Sequence, residues 1–174
     1  GLENQRIEGK TQFIGSGLFY KAVEHEGNSN LSLEEINEVE KIVKELTKGD
    51  VYWYDEENNK HVIKHEDIKI ITPYNSNVFE MQKRIPNVSI GTVDKFQGQE
   101  AQVIIYSLAS SSPEDAPRGM EFLYSPNRLN VAVSRARVIF IMVGNPKIFE
   151  PDCKSPAQIK LANPFCRFIE LAKC

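Results

Sequence analysis

Nothing in this sequence approaches the roughly 18 consecutive apolar residues of a membrane-spanning helix. No secretory signal pattern opens it. Cysteine is scarce: Cys153, Cys166 and Cys174 are odd in number and lack the C-x-x-C spacing of a zinc site. They read as free thiols in a reducing cytoplasm. An excess of positive charge is also missing. The 21 Lys and Arg against 24 Asp and Glu leave a formal net charge of −3. A uniformly basic surface is therefore excluded, and any contact with nucleic acid must come from a local patch.

Three phosphate-binding signatures are absent as well. No G-x-x-x-x-G-K-[ST] occurs. Gly9-Lys10-Thr11 lacks the upstream glycine and the preceding apolar strand that a phosphate loop requires. No buried strand ends in the D-E pair that would hold magnesium. G-x-G-x-x-G is missing too, which sets aside a Rossmann-type metabolic enzyme.

What is present fits a single domain. The chain has 174 residues, and a hydrophobic share of 41% is ordinary for a globular protein. Residues 1–17 are polar and poorly periodic, and read as a tail or arm; residues 18–174 read as the domain proper. Leu18 to Val23 is the first strand. Ser32 and Glu35 form an S-x-x-E capping box, with Leu31 and Ile36 as a hydrophobic staple. The stripe Leu33, Ile36, Val39, Val43, Leu46 predicts a helix that Gly49 ends. Val51 to Ile63 reads as a hairpin turning at Asp55 to Asn59. His61 and His65 lie beside Glu66 and Asp67, but an exposed hairpin does not present both rings to one metal ion.

Ile68 to Thr72 is a buried strand. Asn75 or Ser76 is the expected cap of a helix ending near Pro86. Val88 to Thr92 and Val103 to Leu108 are further strands. Residues 109–121 form a long polar loop. Ser125-Pro126 starts a helix reaching about Ala136. Val138 to Val143 is apolar on both faces, and a last helix spans about Ser155 to Leu171. Strands alternating with helices predict an α/β fold with a mainly parallel sheet covered on both faces.

The densest polar chemistry lies between two of these strands, in I-G-T-V-D-K-F-Q-G-Q-E (Ile90 to Glu100). Loops at the ends of buried strands are where α/β proteins hold ligands. Arg128 and Arg135 stand seven apart, about two turns along one helix face. Asn127 and Asn130 accompany them. Hydrogen-bond donors, cations and a carboxylate together suit a sugar phosphate.

Residues 90–100 and R-L-N-V-A-V-S-R-A-R (Arg128 to Arg137) resemble motifs V and VI of superfamily 1 helicases. Ile70-Ile71-Thr72-Pro73-Tyr74-Asn75 resembles motif IV. Val23 to Asn28 with the capped helix is similar to the opening of the second, C-terminal RecA-like domain in the Upf/Dna-type class B branch, the 5′→3′ class. The loop from Ser112 to Ser125 is like that of bacterial members, some of which carry a RecB-like nuclease domain upstream.

This resemblance covers roughly residues 18–172 and implies a RecA-like P-loop NTPase fold without its own Walker A. It implies that the chain is the second motor domain of an ATP-dependent helicase or translocase, inactive alone. Arg135 is then the arginine finger. Glu100 clamps the ribose, and Gln97 and Gly98 line the nucleotide side of the loop. Thr92, Asp94 and Lys95, with Thr72, Pro73 and Tyr74, face nucleic acid. Arg128 and Asn130 orient the motif VI helix. The cofactor implied is ATP with Mg2+, bound mainly by a first RecA-like domain. The other partner implied is single-stranded nucleic acid, with DNA expected over RNA. The glutamine the family often carries after motif IV is replaced here by Asn77. The alternative is a non-catalytic RecA-like module that binds nucleic acid or a partner protein.

Overall fold

The fold comes from a computed structural model that describes residues 2–150, 153 and 155–173. Cys174, read as a free thiol, lies outside the described residues. Cys153 and Cys166 are free. In chain order the strands are β1 (Arg6–Gly9), β2 (Gly17–Ala22), β3 (Val51–Tyr54), β4 (Lys60–Val62), β5 (Ile68–Ile71), β6 (Ser89–Gly91), β7 (Ala101–Ser107) and β8 (Ala136–Gly144). The helices are α1 (Leu33–Leu46), α2 (Asn75–Arg84), α3 (Gly119–Leu123), α4 (Pro126–Ser134) and α5 (Pro156–Leu171). Among the described residues no helix is long and apolar enough to cross a membrane.

Five strands form one sheet in the order β2-β8-β7-β5-β6, and every neighbouring pair is parallel. Side chains alternate across it. Val103, Ile105, Ile139 and Ile141 join Ile36, Val39 and Leu46 of α1 and Val78 and Met81 of α2 in one core. Ile104, Tyr106, Phe140 and Met142 join Leu129 and Ala132 of α4 and Phe165 and Phe168 of α5 in another. This two-sided cover is why β8 reads as a nearly unbroken apolar run. The architecture is the RecA-like α/β fold expected from the sequence. Because the sheet is parallel, the loops after β5, β6 and β7 gather at its C-terminal edge.

The sequence misled in several places. Residues 6–9, read as part of a tail or arm, form β1 and pair antiparallel with β3, whose other neighbour is β4. Ile7 and Phe13 are buried there. Two anchors so far apart leave no periodic signal, and the partner strand lies more than 40 residues away, from Val51. Leu33, placed on the apolar stripe, is 50% exposed, while Ile42 is buried. Residue 74, rather than 75 or 76, caps α2, with no side-chain hydrogen bond. The expected loop 109–121 ends in the short helix α3, entered through Arg118 at φ 65°.

The capping box is half right. Ser32 Oγ accepts from the Glu35 N–H at 3.1 Å. Glu35 does not reach back to the Ser32 N–H, which donates instead to Asn77 Oδ1 at 3.1 Å. The carboxylate turns inward and is fully buried. Its Oε1 accepts from Ser107 Oγ at 2.8 Å and from the Ala109 N–H at 3.0 Å. Its Oε2 lies 2.6 Å from His25 Nε2, and His25 Nδ1 lies 2.6 Å from Ser111 Oγ. Asn77 Nδ2 completes the knot by donating to Thr72 Oγ1 at 3.0 Å. A buried polar group is tolerated because both of its oxygens have hydrogen-bond partners. One acid thereby ties α1 to the loops after β2 and β7.

Two outcomes follow. Glu35→Ala removes the shared acceptor of three buried groups and costs roughly 3 kcal/mol or more, against about 1 kcal/mol for Ser32→Ala, a lost cap; urea unfolding of the two variants measures the gap. In the β3–β4 turn, the His61 ring 2.8 Å from Asp55 Oδ2 leads the causes that hold the Asp55 carboxyl at about 2, below the ordinary 3.8. A depressed acid stabilises the fold above its unfolded value, and that contribution fades as pH falls through about 2. NMR titration of Asp55 should show that low midpoint, and His61→Ala should move it up towards 3.8.

Candidate nucleotide-facing site

The loop between β6 and β7 is held by two apolar anchors. Val93–Phe96 forms one 3-10 turn. Phe96 is fully buried in the core beneath α4, with Val93 packed against the same cluster. That spacing turns Asp94, Lys95 and Gln97 outward. Gly91 has no side chain because Lys95 lies over it: a Cβ there would fall 2.4 Å from Lys95 Cδ. Lys95 Nζ donates to the Ile90 carbonyl at 2.9 Å, so the ammonium caps the end of β6. Gly98 sits at φ +76°, a left-handed turn that swings the chain into β7.

The second wall is α4. Ser125 caps it, accepting from the Arg128 N–H at 3.3 Å, and Pro126 fills the first turn. Leu129 and Ala132 are buried against the sheet. The helix stops at Arg135, the C-cap residue, and β8 begins at once. The Ala101 N–H donates to the Arg135 carbonyl at 3.0 Å, so the end of the loop and the end of α4 are joined through the main chain.

Between these walls lies a cavity of about 310 Å³. Val93, Asp94 and Gln97 line it from the loop; Ser125, Asn127, Arg128, Val131 and Arg135 line it from α4. The Nε of Arg135 is buried and has no hydrogen-bond partner among the described residues. A desolvated donor without a partner is costly, which marks Arg135 as a side chain the isolated domain leaves unsatisfied. Arg128 lies over the Phe122 ring, its guanidinium carbon 4.2 Å from the centroid.

The structure therefore brings together Arg135, Gln97 and Asp94, with Gly98 adjoining. It does not bring Glu100 to them. That carboxylate lies 3.7 Å from Arg137 Nε, with both side chains about half exposed. Asn130 lies apart from Asn127, in a groove with Leu18 and Pro164. Thr92 is half-buried beside Val93.

Thr72, Pro73 and Tyr74 do stand at the C-terminal end of β5, but all three are buried. Thr72 is held by Asn77. The Tyr74 hydroxyl donates to the Pro117 carbonyl at 3.3 Å, and burial raises its pKa. These side chains are turned into the domain, and Asn75 and Ser76 are the exposed residues of that turn. His61 stacks on Trp53 at 4.3 Å between ring centroids. No group of three or more His, Cys, Asp or Glu that could hold a metal ion occurs among the described residues.

Sequence reasoning missed Phe122 and Arg118. Arg118 falls inside the segment read as an irregular loop and Phe122 just past its end, where no periodicity marks the ring on which both Arg118 and Arg128 rest.

The model of the AAA domain family matches residues 7–147. The chain is 39% identical over 106 residues to "Putative helicase mov-10-B.1" of Danio rerio, covering 52% of this chain and 10% of the relative. It is 32% identical over 145 residues to the "Regulator of nonsense transcripts 1 homolog" of Neurospora crassa, covering 76% and 12%. It is 40% identical over 96 residues to the "Probable RNA helicase armi" of Drosophila melanogaster, covering 50% and 8%. The chain thus spans about a tenth of the length of these relatives. The matched residues hold the whole five-stranded sheet and both walls of the cavity, and the chain belongs to the AAA domain family, with helicases among its relatives.

Proposed function

We propose that this chain is the second motor domain of an ATP-dependent nucleic-acid helicase or translocase. The observation that carries this reading is the cavity that Arg135, whose buried Nε has no hydrogen-bond partner among the described residues, lines together with Val93, Asp94 and Gln97. ATP binds between this domain and a first RecA-like domain that supplies the phosphate loop. Arg135 neutralises charge on the γ-phosphate as the phosphoryl group departs. Gln97 and Gly98 border the nucleotide. Glu100 exchanges its exposed, weak pairing with Arg137 for the ribose hydroxyls. Asp94 is the one carboxylate lining the cavity. A single carboxylate suits a magnesium ion held mainly by the first domain.

Nucleic acid runs along the C-terminal edge of the sheet. Thr92 and Lys95 meet its backbone, Asp94 stays on the cavity side, and the buried Thr72, Pro73 and Tyr74 set the position of the exposed turn beside it. Relatives named as RNA helicases remove the ground for preferring DNA, so the partner is single-stranded nucleic acid of either kind. Hydrolysis removes the tie between the two domains, the cleft opens, and the gripped strand advances.

In the two-domain parent, Arg135→Ala should lower ATP hydrolysis by about 10³-fold or more and largely spare nucleic-acid affinity, as steady-state turnover and fluorescence anisotropy would report. Equal loss of both would make Arg135 a structural residue. The chain alone should not hydrolyse ATP; robust turnover by the purified domain would overturn the reading, and a parent inert to ATP but bound to nucleic acid would favour a non-catalytic module.

A further inference from the structure

We propose that Arg128 is a second phosphate-binding residue of the cavity, and that Phe122 is the residue that positions it. The proposal rests on the nucleotide reading of the site and gives it a second cationic contact. Arg6, Arg84 and Arg137 each lie beside a carboxylate. Arg118, Arg128, Arg135 and Arg167 have no such ion pair among the described residues. Two of these four, Arg128 and Arg135, line one cavity that holds one acid, Asp94. The excess of positive charge there is local, in a chain that is acidic overall.

The geometry explains why Arg128 is ready to bind. Its guanidinium lies over the Phe122 ring, 4.2 Å from the centroid, and Arg118 lies over the same ring at 3.9 Å. Phe122 is 9% exposed and packs on Tyr74, with ring centroids 5.5 Å apart. Tyr74 is fixed in turn through its hydroxyl to the Pro117 carbonyl. A ring pinned in this way limits the rotamers open to Arg128. Stacking uses the face of a guanidinium and leaves its N–H edge free for in-plane hydrogen bonds to phosphate oxygens. Arg128 and Arg135 are two helical turns apart, on the order of 10 Å along α4. Two forks at that separation suit a ligand carrying several phosphates better than a single phosphate.

The test uses this domain and inorganic tripolyphosphate at about 0.15 M salt, where exposed charges are screened. NMR of the arginine Nε–Hε groups follows each guanidinium separately. Arg128 and Arg135 should shift together with one apparent affinity, while Arg137 and Arg167 stay still. Arg128→Gln and Phe122→Leu should each weaken binding roughly tenfold. Phe122→Tyr, which keeps the ring, should restore it, and Arg118→Gln should leave it unchanged.

A shift at Arg135 alone overturns the assignment of Arg128 and leaves the nucleotide reading standing. No shift at either overturns the assignment and withdraws support from that reading as well. Equal shifts at all four, or an equal loss in Arg118→Gln, mean diffuse ion accumulation and overturn the proposal. Failure of Phe122→Tyr to restore binding removes the positioning role.

Discussion

One main-chain hydrogen bond, from the Ala101 N–H to the Arg135 carbonyl, joins the two halves of the site. It fixes where α4 may end relative to where β7 begins. Everything useful in the cavity is measured from that point: the loop that precedes Ala101, and the arginine whose carbonyl is the acceptor. Because neighbouring β7 and β8 are parallel and central, that point cannot drift. Phe96 and Leu129, buried from the loop and from the helix into the same core, hold the two walls at their separation.

The second constraint is the buried carboxylate of Glu35. It accepts from groups on β7 and on the loop beyond it, and meets His25 from the segment after β2. A polar knot in a low-dielectric interior is all or nothing: fully paired it defines one arrangement, half paired it is worse than an apolar plug. Here it joins the ends of β2 and β7, which flank β8 in the sheet. The cavity side carries the two arginines without an ion pair among the described residues, Arg128 and Arg135. Such a division suits a domain that must close on a ligand as one body.

Much of this was legible in the sequence. The parallel sheet follows from β8, whose run from Val138 to Val143 has no polar face. The start of α4 follows from Ser125-Pro126, and the proximity of Gln97 to Arg135 from two motifs in order. What was not legible depends on contacts distant in sequence. Glu35 reads as half of a capping box because that pattern is local; its real donors, Ser107 and Ala109, lie more than 70 residues away. Thr72 and Tyr74 read as ligand-facing because strand ends generally are; their burial depends on Asn77 and Pro117. Phe122 opens the short run Phe122-Leu123-Tyr124, and only folding shows two arginines on its ring.

The small sheet of β1, β3 and β4 has a practical consequence. It is built where α1 ends and β5 begins, and its Ile7 and Val51 are buried in the core that holds α1, whereas the anchors of the cavity, Phe96 and Leu129, belong to the other core. Its turn at Asp55 to Asn59 is closed by its own hydrogen bonds, Glu57 N–H and Asn59 N–H to Asp55 Oδ1. The hairpin is therefore a ready-made attachment point. A dye or tether fixed there would travel with the domain as a rigid lever and report its rotation without touching the surface that does the work.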